Sequence, residues 1–149
     1  MTTQNKPLYN SIIVAKHFLS LAHEDGRNLT PLYLLKIVYL SHCGHLGIHG
    51  YGLISDFIQA YKNGPIIDSL YNIFIQHKNK PLTQLLSTYK SPNKVPNKDD
   101  FINTVWNRYK DLEEWEMCAI CHKEDSPWDK TIKAYGIDSF IPNRIIQAH

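Results

Sequence analysis

Two short runs of side chains in this chain have the composition of metal sites. His42, His45 and His49 stand at i, i+3 and i+7, along one face of a helix. Three imidazoles on one stripe can hold zinc and leave a fourth position open, the arrangement of a small metal-dependent hydrolase. Cys118-Ala119-Ile120-Cys121-His122 spells C-x-x-C-H, which offers two thiols to haem and an imidazole to its iron. The same thiols at i and i+3 could serve zinc, with two further ligands from afar. Gly47, Gly50 and Gly52 crowd His49, where a helix is expected to end. Haem attachment belongs outside the cytoplasm, and the first residues lack the apolar run of an export signal. Both runs are therefore read as structural, as packed or surface histidines and buried free thiols, with no metal and no cofactor expected.

Lys36 is the only charged side chain between Thr30 and Tyr39. A buried cation is costly without a partner, so Lys36 is expected to snorkel to water or to meet a carboxylate. Asp56 is one candidate, as a structural ion pair or a catalytic one. Ser41 is near His42 and His45 in sequence, which is not a nucleophile geometry. Glu113, Glu114 and Glu116 favour the start of a helix through its dipole. No G-x-x-x-x-G-K-[ST] phosphate loop occurs. No catalytic set emerges, and the chain is not expected to be an enzyme.

These residues need elements to place them. The organising stretch is 29–71. Thr30 can cap a helix and Pro31 suits its first position. Leu32, Tyr33, Leu34, Leu35, Ile37, Val38, Tyr39 and Leu40 then fall on every side, which predicts a helix buried all round, to residue 47 or 49. A first helix is expected over 8–25, capped by Asn10 or Ser11 and ended at Gly26. Residues 53–61, with Ile54, Phe57 and Ile58, suggest a short extended segment or hairpin. Gly64-Pro65 is expected to open a helix over 65–77. The polar middle, 79–98, carries Leu82, Leu85 and Leu86 as an apolar island, and 91–98 reads as an exposed loop. Asp99 or Asp100 should cap a helix to residue 110, with Phe101, Ile102, Val105, Trp106 and Tyr109 apolar. A further helix over 112–123 should turn Trp115, Cys118, Ala119 and Cys121 or His122 inward. Ser126-Pro127-Trp128 interrupts, and Pro127 can start a turn or helix.

The fold class expected is mainly α, a compact single-domain helical fold around a buried central helix, with a small strand pair as an option. The 149 residues suit one domain with a real core, and residues 1–7 are expected to be flexible. A hydrophobic share of 43% beside 20% charged residues is that of a globular protein and not of a disordered one. Net charge is +2, which gives no basic footprint for nucleic acid and weighs against a DNA-binding regulator. Three cysteines, an odd count, argue against a disulfide framework. No stretch approaches the roughly 18 apolar residues of a membrane span. The expected location is the cytoplasm.

Three blocks in order carry a resemblance. The first is Leu29-Thr30-Pro31-Leu32-Tyr33-Leu34-Leu35-Lys36-Ile37-Val38-Tyr39. The second is Ala60-Tyr61-Lys62-Asn63-Gly64-Pro65-Ile66 with Ser69-Leu70-Tyr71. The third is His122 with Ser126-Pro127-Trp128. Together they resemble the Panacea-domain family of SocA-like and phage-associated GepA-like bacterial proteins, over nearly the whole chain. Thr30, Pro31, Leu34, Lys36, Tyr39, Gly64, Pro65, Tyr71, His122, Pro127 and Trp128 match its motif. The chain departs from that motif at Leu35, where the family has a polar residue, at Tyr61, where it has Trp, and at Gly52, where it has Pro.

The resemblance implies an antitoxin-type protein-binding module of a toxin–antitoxin system, phage- or mobile-element-associated, that neutralises a cognate toxin by direct contact. Masking the toxin and handing it to a protease both fit. A metal-dependent hydrolase on the histidine stripe and a DNA-binding regulator are the alternatives. Interface energy concentrates in large aromatics, so Tyr33 and Tyr61 are the expected partner-binding residues unless they pack internally. For His122 and Trp128 the structural reading is a lock of the C-terminal segment onto the core, the functional one a partner groove.

Overall fold

A computed structural model of the protein describes residues 8–76 and 80–149. The expected flexible segment 1–7 and the expected helix end at His77 lie outside the described residues, as does Asn79. Helix α2 (Pro31–His49) is the centre of the fold. Thr30 caps it, its hydroxyl accepting from Tyr33 N–H at 3.1 Å, and Pro31 takes the first position. Seven consecutive residues, Tyr33 to Tyr39, are buried, so the helix has neighbours on all sides. Those neighbours include α1 (Ser11–Glu24), α5 (Asp99–Tyr109), α6 (Glu114–Cys121) and α8 (Asn143–Ala148). Helix α1 is capped by Asn10, whose side chain accepts from Ile13 N–H. Residues 8 and 9 precede the helix instead of joining it, and Tyr9 bridges Ile54 in parallel.

A hairpin sits against the central helix. Strands β1 (Ile58–Tyr61) and β2 (Gly64–Ile67) are antiparallel, with Tyr61 opposite Gly64 and Ala60 opposite Pro65. Pro65 therefore does not begin a helix. The chain turns at Lys62-Asn63, Gly64 takes φ +137°, and Pro65 continues as extended strand. Helix α3 (Asp68–Gln76) starts later, where Asp68 favours its N-terminal dipole. The far edge of β1 is closed by the C-terminal segment: Ile141 N–H donates to the Ile58 carbonyl, and Ala60 exchanges backbone bonds with Asp138 and Ser139.

The apolar island of the middle is a helix, α4 (Leu82–Ser87), with Leu85 and Leu86 buried. Within 91–98, Val95 is fully buried and its N–H donates to His17 Nδ1 at 3.1 Å, which pins the loop to α1. Lys98, not an aspartate, stands at the cap position of α5, while Asp99 and Asp100 lie in the first turn, where they meet the dipole and not the orphan N–H groups. Helix α6 turns Met117 and Cys121 inward. Trp115, expected inside, is 70% exposed, and Ala119 and His122 are exposed too, because the i, i+4 pair Met117–Cys121 sets the inner face. Helix α7 (Pro127–Tyr135) is capped by the Ser126 hydroxyl, with Pro127 first. Among the described residues, no helix is long and apolar enough to cross a membrane.

Candidate functional site

The three sequence blocks meet at one point, Gly64. Lys36 projects from α2, is 2% exposed, and donates from Nζ to the Pro65 carbonyl at 2.8 Å. A Cβ on Gly64 would stand 3.1 Å from that Nζ and 3.9 Å from His122 Cδ2. His122 packs edge-on against Trp128, ring centroids 5.9 Å apart, and Trp128 Nε1 donates to the Tyr61 carbonyl at 2.6 Å. Tyr61 in turn donates its hydroxyl to Asp68 and packs edge-on to Tyr71. A cavity of about 290 Å³ opens here, with Lys36, Tyr61, Lys62, Gly64, Tyr71 and Cys118 in its wall.

Lys36 is thus buried on a backbone carbonyl and, among the described residues, meets no carboxylate. Asp56, its expected partner, accepts instead from Ser11 N–H and Ser11 Oγ at 2.7 and 2.8 Å and from the Ser69 hydroxyl. It ties the start of α1 to α3, so no Lys36–Asp56 pair exists. Burial lowers the Lys36 ammonium pKa, while the Cys121 and Cys118 thiols act in the opposite direction. Burial raises both thiols, Cys121 most, and pushes Cys43 up to about 12. At neutral pH these are inert thiols and not nucleophiles.

Two histidines of the stripe, His42 and His45, are buried. His42 Nδ1 accepts from Leu53 N–H and Ile54 N–H, which places the ring proton on Nε2, facing Asn143 Oδ1 at 3.0 Å. Both nitrogens are spent, and burial lowers the pKa. His45 is fully buried, bonds Tyr51 O through Nδ1 at 2.8 Å, and packs on His49, Tyr51 and Phe101. Burial brings its pKa to about 4. His45 Nε2 has no hydrogen-bond partner among the described residues. His49 is exposed. Among the described residues no group of three His, Cys, Asp or Glu is placed to hold a metal ion.

Of the two tyrosines, Tyr33 packs internally: it is 6% exposed and its hydroxyl donates to the Tyr109 carbonyl. Tyr61 is half-buried. Sequence reasoning missed a more open aromatic pair. Phe57 is 72% exposed, Phe140 is 55% exposed, and their rings lie 5.1 Å apart. Burial alternates from Phe57 to Tyr61, with Ile58 and Ala60 inside and Phe57, Gln59 and Tyr61 on the outer side. Phe140 joins them because it bridges Gln59 across the edge of β1. Phe57 and Ile58 are adjacent and both apolar, so the sequence does not show which of them faces out, and nothing local marked Phe140.

Residues 34–129 match the model of the family described as antitoxin SocA-like, Panacea domain. The match takes in Lys36, Gly64, His122 and Trp128, the residues that converge in space. No curated protein and no solved structure matches the chain. The chain belongs to the SocA-like antitoxin family with a Panacea domain.

Proposed function

We propose that this antitoxin-type protein neutralises a cognate toxin by direct protein–protein contact, in the cytoplasm and without catalysis, with Phe57 and Phe140 as the anchors. The family supplies the toxin as the kind of partner. The exposed pair, its rings tilted against each other, carries the reading of the surface. Aromatic side chains bury about 150–250 Å² each, and such residues dominate interface energetics. Tyr61, on the same outer side of β1, extends the patch. A binding role also agrees with the chemistry of the interior. His42 has both nitrogens engaged, Asp56 is held by two serines, and the buried thiols are protonated at neutral pH.

The test is co-expression with the neighbouring gene product whose expression alone arrests growth. Co-purification of the two proteins, lost with folded Phe57→Ala/Phe140→Ala, supports the reading. Rescue without a complex, with toxin levels unchanged, would overturn it.

A further inference from the structure

We propose that the cavity beside Gly64 is a carboxylate-binding site, in which Lys36 is the cation that pairs with a single carboxylate. Lys36 is enclosed, yet among the described residues its ammonium makes one hydrogen bond, to the Pro65 carbonyl at 2.8 Å. An ammonium has three donors, so two are left for a ligand. The about 290 Å³ cavity that Lys36 lines also has Lys62 and Asn63 in its wall and, among the described residues, no acidic one. An enclosed cation without a counter-charge is costly, and an entering carboxylate removes that cost through a charge-assisted hydrogen bond.

The backbone is shaped to keep this space. Gly64 takes φ +137°, and a Cβ there would stand 3.1 Å from Lys36 Nζ. The hydroxyl of Tyr61 is turned away to Asp68, so it does not compete for the ammonium. Tyr71 and Leu32 supply apolar wall, which suits the short methylene stem of an acidic side chain or of a small organic acid.

A carboxylate can come from two sources, an acidic side chain of a protein partner or a free small acid. Neither depends on the contact at Phe57 and Phe140, so this inference stands apart from the proposed toxin surface. The test follows the Lys36 side-chain resonances by NMR in lysine-labelled protein. One arm adds sodium acetate; the other adds an end-capped Gly-Glu-Gly peptide; sodium chloride at matched ionic strength is the control. Saturable shifts at Lys36 with acetate or peptide, absent with chloride, are expected. Tighter binding of acetate assigns a free acid, and tighter binding of peptide assigns a side chain. Binding, followed in Lys36→Met through the labelled Lys62 in the same cavity wall, should weaken about 10- to 100-fold, the worth of one charge-assisted hydrogen bond. No saturable shift in the wild-type protein, an equal response to chloride, or binding retained in folded Lys36→Met overturns the proposal. The wild-type titration decides even where Lys36→Met does not fold.

Discussion

Lys36 Nζ lies 3.1 Å from the point that a Cβ on Gly64 would occupy. The central helix and the hairpin therefore approach each other through the absence of one side chain. Gly64 also takes φ +137°, a conformation that L side chains rarely adopt. Gly64→Ala should destabilise the protein by about 1–3 kcal/mol, combining strain with displacement of the ammonium from Pro65. Urea unfolding measures it, and a change within about 0.5 kcal/mol would mean the hairpin yields freely.

Gly47 should respond in the opposite direction. It lies in α2, it is exposed, and a Cβ there meets nothing within 4 Å. Alanine lowers the conformational freedom of the unfolded chain, so Gly47→Ala should stabilise by about 0.5–1 kcal/mol. A lower urea midpoint would show that this turn of the helix needs its glycine.

Leu34 is fully buried on the central helix. Leu34→Ala should cost about 2–4 kcal/mol through lost burial and the cavity left behind. A loss below about 0.5 kcal/mol would place the helix at the periphery.

Acid should weaken the fold through its histidines. His45 has a pKa of about 4 in the folded protein against 6.5 ordinarily. As pH falls below 6.5 the unfolded chain takes up a proton that the fold refuses, so stability drops until about pH 4 and then levels. His45 alone accounts for about 3 kcal/mol over that range. His42 and His17, also lowered by burial, add in the same direction. The carboxyls of Asp25 and Asp129, held below 3.8 by Trp106 and Lys133, lose their contributions only at lower pH. Urea unfolding between pH 6.5 and 4 should show a shallower decline in His45→Gln than in the wild type. Equal slopes would remove His45 from the account.

What could be read from the sequence followed from local rules. Thr30-Pro31 and the apolar run to Leu40, interrupted only by Lys36, marked the start and burial of α2, Asn10 or Ser11 offered the cap of α1, and Pro127 allowed a turn or a helix, of which the structure has the helix. The misreadings have separate causes. Gly64-Pro65 was read as a helix opening, whereas Asn63-Gly64 is itself a hairpin signal and Pro65 fits a strand position that donates no bond to Ala60. The partner of Lys36 is a backbone carbonyl, which no side-chain pattern announces. Trp115 was placed inside because a short helix leaves its inner face undetermined until Met117 and Cys121 find α2. Phe57 and Phe140 are brought together by a long-range pairing at the edge of β1.

The most direct measurement of the proposed role is rescue from a neighbouring gene product whose expression alone arrests growth, with variants first shown to keep their melting temperature. Truncating interface anchors typically costs about 2 kcal/mol or more, a loss of about 30-fold in affinity. Phe57→Ala combined with Phe140→Ala should abolish rescue and complex formation, while His49→Ala, on the exposed end of α2, should leave both intact. Full rescue by the folded double variant, with rescue lost in folded His49→Ala, would contradict a binding surface at the aromatic pair and move the function to the histidine stripe.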